Sequence, residues 1–426
     1  MTKDKLHIAI FTDSYRPSIN GITTSIDHLT VRLAERGHRF TIISPTLTEE
    51  EKPLHENITH ITVPSIPASY YEEFRWATLR ITKILTKLKD ESVDLVHFMT
   101  PIITSYLGIK IARKLEIPVV GTYHTLIADP TYYEQLMNKL VKATPESVWY
   151  YTNLYYNAAD LVTAPTQNMV DLLDENGCTT DMIALSNGID PSVFDNSRAE
   201  EMKKKYNLGE KTVLYVGRVS IEKNINVLID AFDKLTERIP DAQLLIVGDG
   251  PKREEIEDYA AEKKSASQIT FTGMIPHEEL VTSGIFGACK LFATASETET
   301  QGITLLEALH CGLPCIGADA LGVSETIVHG ETGFLVPPRS VDEMADRMTQ
   351  ILEDDALQSR MSEAGKEWVK AHYIEAIIDR WEAIYLDLAD RYRAGEIEKK
   401  DYLHIKKILT TLKRFKLDIP FIKRYS

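Results

Sequence analysis

Apolar and polar positions along the chain follow two alternating patterns. Short runs rich in apolar and β-branched residues predict strands, and the longer stretches between them, such as residues 23–38, repeat apolar positions at helical spacing. Before residue 186 the predicted strands are HIAIFT, RFTIIS, NITHITV, DLVHFM, PVVGTY and DLVTAP. After residue 211 they are TVLYVGR, AQLLIVGDG, QITFTGM, KLFATA and PCIGA. Strands that alternate with helices imply βαβ units and parallel sheets.

The alternation lapses at SNGIDPSVFDNSRAEE, residues 186–201, and then resumes. We therefore predict an α/β protein with two doubly wound, Rossmann-like domains. The predicted N-terminal domain covers residues 1–190 and is joined by C-terminal helices at about 376–426, and the predicted C-terminal domain covers residues 191–375. A ligand should bind in the cleft at the carboxyl ends of the strands. No GxGxxG follows the first strand, so an ordinary dinucleotide-binding fold is poorly supported.

Two glutamates flank a glycine at the start of a predicted helix. Glu299 lies in the loop after KLFATA, Gly302 precedes a helix that opens near Ile303, and Glu307 lies about one turn into it. A helix start offers unpaired N–H groups, and a glycine there lets a ligand come close. Two carboxylates would repel a bare phosphate, so they favour a ligand with hydroxyl groups, such as a sugar or a ribose. From spacing alone, a surface helix with two solvated acids is an equally good interpretation.

Cationic and small residues follow other predicted strands. Arg218 and Lys223 come at and after the end of TVLYVGR, where forked hydrogen bonds and a point charge suit a pyrophosphate. Asn20 and Gly21 precede a helix start that suits a phosphate, and His124 directly follows PVVGTY. The plainer alternatives are a solvated pair of cations, an ordinary helix start and a packed core histidine.

Composition narrows the class of protein. A chain of 426 residues is long enough for two or three domains with real cores. Its net charge of -15 argues against a general nucleic-acid binder. Four cysteines without a CxxC pair indicate free thiols in a reducing compartment. Since no apolar stretch approaches the roughly 20 residues needed to span a bilayer, and the first residues resemble a strand more than a signal peptide, we expect a soluble, cytoplasmic protein.

A series of motifs resembles glycosyltransferase family 4. In chain order they are YVGR with Lys223, IVGDGP, FTGMI, ETQGITLLEALHCGLPCI and GETGFLVPP. The resemblance runs from about residue 8 to about residue 385, and the C-terminal half is the more specific. The family's paired-glutamate motif, two glutamates separated by seven residues, matches Glu299 and Glu307. The resemblance implies a GT-B fold and a retaining hexosyltransferase that uses a nucleotide sugar.

The resemblance also implies roles for individual residues. The catalytic residues would be His124, Arg218, Lys223 and Glu299. The donor-binding residues would be Gly21, Gly273, Met274, Ile275, Gln301, Gly302, Ile303 and Glu307. Glu299 would hold the transferred sugar, Glu307 the ribose, and the main chain of residues 273–275 the base edge. The two cations would neutralise the departing diphosphate, and because the chain contains no DxD triplet we expect neither a metal site nor a cofactor.

The segments that would meet the acceptor are similar to those of bacterial 1,2-diacylglycerol 3-alpha-glucosyltransferases. They are FTDSYRPSINGI, TYHT and LIADPTYYEQL. This similarity implies UDP-glucose as donor and diacylglycerol as acceptor, with Asp13 and Asn20 near the acceptor. Asp13 is alternatively a turn former at the end of a strand.

Other functions stay open at this point. The same chemistry on phosphatidylinositol, a glycolipid or a soluble sugar is one alternative, and a non-catalytic GT-B partner protein is another. The intact set of Arg218, Lys223, Glu299 and Glu307 weighs against a non-catalytic protein. A nucleotide-sugar epimerase would share the fold but would not need a basic tail.

Two basic amphipathic stretches favour a lipid acceptor at an anionic membrane surface. In residues 72–90 a helical pattern places Ala77, Ile81, Ile84 and Leu88 on one face. The cationic and aromatic side chains predicted to contact the membrane are Trp76, Arg80, Lys83, Lys87, Lys413, Arg414 and Lys416. Residues 404–426 carry seven Lys or Arg against one Asp. We expect peripheral binding to the inner face of the cell membrane, with a surface helix packed on the other domain as the alternative for residues 72–90.

We predict that the protein sediments with vesicles of anionic lipid and not with vesicles of neutral lipid, because each Lys or Arg near such a surface adds about 1 kcal/mol of attraction. Removal of residues 404–426 should abolish most of this binding. A matched control replaces Lys413, Arg414 and Lys416 by glutamine in the full chain. Equal sedimentation with both kinds of vesicle, or with neither, would contradict the prediction.

Overall fold

The computed structural model describes residues 4–16, 21–45, 53–67, 75–77, 82–129, 144–398 and 400. By contacts the chain divides into two compact units. The N-terminal unit comprises the residues up to Ser186 together with those from Ile377 onward, and the C-terminal unit comprises Asn187–Ala376. From the sequence we predict domain boundaries at 190/191 and 375/376. These boundaries describe functional domains, and they stay a prediction.

The N-terminal unit is built on a parallel sheet. Its strands are β1 (His7–Phe11), β2 (Arg39–Ser44), β3 (Ile58–Thr62), β6 (Leu95–Phe98), β7 (Val119–Thr122), β8 (Leu161–Ala164) and β9 (Met182–Ala184), and a separate antiparallel pair is formed by β4 (Ser65–Pro67) and β5 (Arg75–Ala77). Its helices are α1 (Gly21–Glu35), α2 (Thr82–Asp90), α3 (Ile103–Leu115), α4 (Pro145–Tyr156), α5 (Gln167–Glu175) and most of α14 (Ile374–Ala394). The strand order is β3-β2-β1-β6-β7-β8-β9.

The C-terminal unit repeats this plan. Its strands are β10 (Thr212–Val216), β11 (Gln243–Val247), β12 (Ile269–Gly273), β13 (Leu291–Thr294), β14 (Cys315–Ala318) and β15 (Gly333–Val336). Its helices are α6 (Ala199–Tyr206), α7 (Ile225–Arg238), α8 (Arg253–Ala261), α9 (His277–Thr282), α10 (Ile303–His310), α11 (Leu321–Thr326), α12 (Val341–Glu353) and α13 (Asp355–Trp368). All strand pairs are parallel, in the order β12-β11-β10-β13-β14-β15.

The strand order of each sheet reverses at one point. Chain order runs outward from β1 to β3 and resumes at β6 on the other side of β1, and likewise from β10 to β12 and then β13. Loops that leave the carboxyl ends of the two central strands then diverge to opposite faces of the sheet and leave a crevice. In the C-terminal unit these loops contain Arg218, Lys223 and Glu299.

The central strands have continuous apolar sequences because helices cover both faces of a parallel sheet, so side chains on both faces are buried. Every residue of β10, β13 and β14 is buried. On one face the core includes Phe232 and Met348, from α7 and α12. On the other it includes Leu306 and Leu309, from α10. The helix that carries Glu307 is therefore anchored by its apolar side.

One predicted element is wrong. Residues 75–77, predicted as part of an amphipathic helix, form the strand β5, in which Trp76 pairs with Ile66. The described helix of this stretch begins only at Thr82. Ile84 and Leu88 are buried, so neither side chain is exposed on the helix surface, and packing of this helix on the other domain stays a prediction. The predicted strands are present, and β4, β9 and β15 are further strands that the sequence pattern did not indicate.

Candidate active site

An ion pair joins the loops after the two central strands of the C-terminal unit. The Lys223 Nζ atom lies 2.6 Å from Glu299 Oε1, and the two side chains are 14% and 24% exposed. Lys223 ends a short 3-10 helix that follows β10, whereas Glu299 lies in the loop between β13 and α10. Because β10 and β13 are hydrogen-bonded neighbours, their parallel pairing brings these two loops to the same edge of the sheet.

Arg218 lies in a loop whose backbone is tightly packed. Its side chain is exposed, while its carbonyl oxygen accepts a hydrogen bond of 3.1 Å from the Tyr215 hydroxyl. Burial raises the pKa of Tyr215, so the phenol stays a neutral donor. Gly248 lies against the same segment with φ of +147°, and a Cβ atom there would lie 1.9 Å from the Gly217 carbonyl oxygen. The first glycine of the IVGDGP motif, Gly248, is thus required for packing of the Arg218 loop.

The Glu299 loop is fixed through its backbone and through Gln301. The Gly322 N–H donates to the Glu299 carbonyl oxygen at 2.9 Å. The Gln301 Oε1 atom accepts hydrogen bonds of 2.9 Å from both the N–H and the Nδ2 of Asn187. The Thr326 hydroxyl donates to the Gln301 carbonyl oxygen at 2.7 Å. These contacts give Gln301 a clear role in holding the loop, and its donor-binding role stays a prediction.

Gly302 is the residue that lets the helix start at this loop. It adopts φ 79° and ψ 66° as the N-cap of α10, a left-handed conformation that favours glycine. Gly302 is buried, and the helix begins at the next residue, Ile303, so the unpaired N–H groups of the first turn lie directly after the glycine. The N-terminus of α10 therefore points its partial positive charge into the region beside Glu299.

Glu307 is a buried carboxylate with one hydrogen-bonded oxygen. Its side chain is 3% exposed, and Oε1 lies 2.7 Å from His277 Nε2. Oε2 is buried and has no hydrogen-bond partner within the described part of the chain. The hydrogen bond to Glu307 raises the pKa of His277 above its ordinary value, against the opposing effect of partial burial. A ligand hydroxyl at Oε2 would satisfy the second oxygen.

The segment predicted to meet the base ends β12. Gly273 has φ of +77°, and its carbonyl oxygen accepts from the Gly248 N–H at 3.0 Å and from the Thr272 hydroxyl at 2.8 Å. The Met274 side chain is 69% exposed, and Ile275 packs on the core cluster shared with α10. A contact between a base and residues 273–275 stays a prediction.

Among the described residues, three of those predicted to bind substrate or act in catalysis belong to the N-terminal unit. His124 is half-buried just after β7, and burial lowers its pKa to about 4, so its imidazole is neutral. The Asp13 carboxylate is buried and accepts hydrogen bonds from the Thr104 N–H and hydroxyl, at 2.9 and 2.7 Å, and from the Thr100 hydroxyl at 2.9 Å. Burial raises the pKa of Asp13 to about 6. Gly21 is the first residue of α1.

The contacts of Asp13 favour the plainer of its two interpretations. Its carboxylate satisfies N–H and hydroxyl donors near the start of α3, so it organises the end of β1. Its role at an acceptor, like that of His124 at a sugar, stays a prediction. Asn20 lies outside the described residues.

The predicted membrane contacts are described only in part. Lys83 and Lys87 are exposed on α2, and Lys87 Nζ lies 3.8 Å from Glu91. Trp76 is described by its backbone alone, and Arg80, Lys413, Arg414 and Lys416 lie outside the described residues. Among the helices described, none has the length and apolar character that crossing a bilayer requires. Within the same residues, no cluster of three or more His, Cys, Asp or Glu is arranged to hold a metal ion.

Sequence reasoning missed two residues of this site. His277 carried a usable signal, since it comes two residues after Ile275, just beyond the predicted strand QITFTGM. Asn187 carried none, because only the folded chain brings it to Gln301 across more than a hundred residues.

Two doubly wound parallel sheets with this strand order are the architecture of the GT-B fold. A solved structure with the same fold is the Anabaena protein Alr3699/HepE in complex with UDP-glucose. The TM-score is 0.71 at 18% sequence identity, and the match covers 90% of this chain and 99% of that chain.

Family models and relatives identify the family. The model described as Glycosyltransferase Family 4 matches residues 19–193, and that described as Glycosyl transferases group 1 matches residues 197–368. An alpha-monoglucosyldiacylglycerol synthase of Streptococcus pneumoniae (strain ATCC BAA-255 / R6) is 32% identical over 318 residues, which cover 73% of this chain and 70% of the relative. One from Acholeplasma laidlawii is 25% identical over 396 residues, covering 91% and 98%. The chain belongs to glycosyltransferase family 4, and the resemblance and the predicted fold class are confirmed.

The His277–Glu307 pair predicts a pH-dependent contribution to stability. A histidine whose pKa is raised by folding contributes fully below the pKa of the unfolded residue, about 6.5, and loses this contribution as the pH rises through the folded value. Replacement of His277 by glutamine should therefore lower the melting temperature more at pH 6 than at pH 9. The same replacement in a Glu307→Gln background should show no such pH dependence. Equal effects at both pH values in the natural background would contradict a charged pair.

Proposed function

We propose that this protein is a retaining glucosyltransferase that moves glucose from UDP-glucose to diacylglycerol. It would act at the inner face of the cell membrane as a peripheral protein. One observation carries the proposal. The Lys223 ammonium and the Glu299 carboxylate come from adjacent loops, and Nζ lies 2.6 Å from Oε1. Glu299 shortly precedes the helix α10, whose N-cap residue is Gly302. This juxtaposition offers one group to a phosphate and one to a sugar hydroxyl.

The site has the charges that glycosyl transfer needs. Cleavage of an anomeric C–O bond builds positive charge on the sugar ring and negative charge on the leaving diphosphate. The Lys223 ammonium, which contacts Glu299, carries N–H donors of the kind that bind a phosphate. Lys223, Arg218 and the N-terminus of α10 would stabilise the diphosphate as it leaves. Glu299 would accept hydrogen bonds from the hydroxyls of the sugar.

Retention would follow from attack on the face that the leaving group occupies. The bond between the anomeric carbon and the phosphate oxygen breaks, and a bond forms from that carbon to the acceptor oxygen. The proton of the acceptor hydroxyl passes to the departing phosphate. His124, neutral because of its lowered pKa, would contribute a polar contact to the sugar without adding a second positive charge to the ring.

The relatives support the choice of substrates. The Streptococcus pneumoniae and Acholeplasma laidlawii proteins are both named alpha-monoglucosyldiacylglycerol synthase, and the structural neighbour was solved with UDP-glucose. These names favour glucose as the sugar, UDP as the nucleotide and diacylglycerol as the acceptor. The exposed Lys83 and Lys87, with the basic residues 404–426, would draw the protein to an anionic surface.

We predict that the purified protein converts UDP-glucose and diacylglycerol in mixed anionic vesicles into an α-glucosyl lipid. Thin-layer chromatography detects the product. The coupling constant of the anomeric proton in the NMR spectrum shows whether the configuration is retained. Parallel incubations with GDP-mannose and with phosphatidylinositol test the other donors and acceptors. Arg218→Ala and Lys223→Ala should each lower kcat by about 100- to 1000-fold, since they remove charge that stabilises the transition state.

The control for these variants is Lys264→Ala, which removes a lysine that is 82% exposed in the same unit. It should leave kcat unchanged. Unchanged turnover in both the Arg218 and the Lys223 variant would refute the assigned site. A β-linked product would refute retention, and a product formed only with another acceptor would replace diacylglycerol.

A further inference from the structure

We propose that His277 is a positioning residue that holds Glu307 in the orientation needed to accept a ribose hydroxyl. The proposal rests on the proposed function, because it takes the donor to be a nucleotide sugar. On this proposal, the hydrogen bond between His277 of α9 and Glu307 of α10 helps the protein to select ribonucleotides.

The geometry of the carboxylate leaves one oxygen for a ligand. His277 Nε2 occupies Oε1 at 2.7 Å. Oε2 is buried and has no hydrogen-bond partner among the residues described. A buried carboxylate oxygen without a donor is costly, so the native complex should supply one. A ribose hydroxyl is a neutral donor that would do this without adding charge.

The hydrogen bond from His277 also restricts the movement of the carboxylate. A glutamate side chain has three rotatable bonds, and the loss of their freedom costs free energy when a ligand is bound. Attachment of Oε1 to a ring on a neighbouring helix fixes the direction of Oε2 before the ligand arrives. The flanking residues Leu306 and Ala308 are fully buried and hold the helix backbone in place.

The position of His277 connects two parts of the site. It is the first residue of α9 and comes two residues after Ile275, in the segment predicted to meet the base. Ile275 packs on the same apolar cluster as the buried residues of α10. α9 begins directly after this segment, since Pro276 is its N-cap residue and accepts a hydrogen bond of 2.8 Å from the Leu280 N–H. A base held by this segment would therefore lie next to the carboxylate that holds its ribose.

The charges around the ring favour its protonated form. Glu307 faces it from α10, and Glu278 acts on it from its own helix. An imidazolium ring donates from both nitrogens, and a hydrogen bond to a carboxylate is stronger when the donor is charged. His277 thereby offsets the charge of Glu307, which lets the carboxylate approach the negatively charged nucleotide at lower cost.

Calorimetric titration with UDP, 2′-deoxy-UDP and 3′-deoxy-UDP tests this role. The natural protein should bind UDP more tightly than at least one deoxy analogue. His277→Ala should reduce that preference by roughly tenfold, as expected for loss of a hydrogen bond to a charged group. His277→Gln, which keeps a donor, should retain part of the preference. In Glu307→Ala the preference should be lost, and adding His277→Ala should change it no further.

Thermal unfolding of each variant separates this role from a folding defect, because a merely structural residue would lower stability without changing the ratio between UDP and its deoxy analogues. An unchanged ratio in His277→Ala would overturn the inference and leave the donor site intact. So would equal binding of UDP and both analogues by the natural protein. If the natural protein bound neither UDP nor GDP, the proposed function itself would fall, and the inference with it.

Discussion

The half-buried contact between Lys223 and Glu299 is the interaction on which the rest of the site depends. Two adjacent parallel strands end at the same edge of the sheet, and each delivers one charge to that point. Neither group is deeply buried, so the pair avoids the large desolvation penalty of an interior salt bridge. The result is a fixed cation and a fixed anion side by side, suited to a ligand with a negative part and a hydroxyl-bearing part.

The surrounding structure holds this pair in place through backbone rather than through charge. Gly248 allows the loop after β11 to pack against Gly217, next to Arg218. Gly302 permits a turn into α10 that few other residues would adopt. Asn187 and Gly322 then anchor the loop that carries Glu299. The charged side chains of the candidate site thus lie on a scaffold in which one glycine permits close packing and another permits a left-handed turn.

Much of the fold was predictable because parallel strands buried on both faces appear as continuous apolar runs. Glu299, Lys223 and Arg218 were predicted as site residues for the same reason, since polar residues at the ends of such runs stand out. The single helix predicted over residues 72–90 was wrong because helical spacing in a short stretch also fits a strand followed by a helix. Tertiary packing decides which of the two structures forms. The Glu307–His277 contact was not predictable, because it joins two helices that are neighbours only in the folded unit.

A crystal structure of the protein with UDP-glucose tests the central claim most directly. The account predicts diphosphate oxygens at hydrogen-bond distance, about 3 Å, from Lys223 Nζ and the Arg218 guanidinium. It also predicts glucose hydroxyls on Glu299 and the ribose on Glu307. Density for the diphosphate at another place in the C-terminal unit, away from both Lys223 and Arg218, would contradict it.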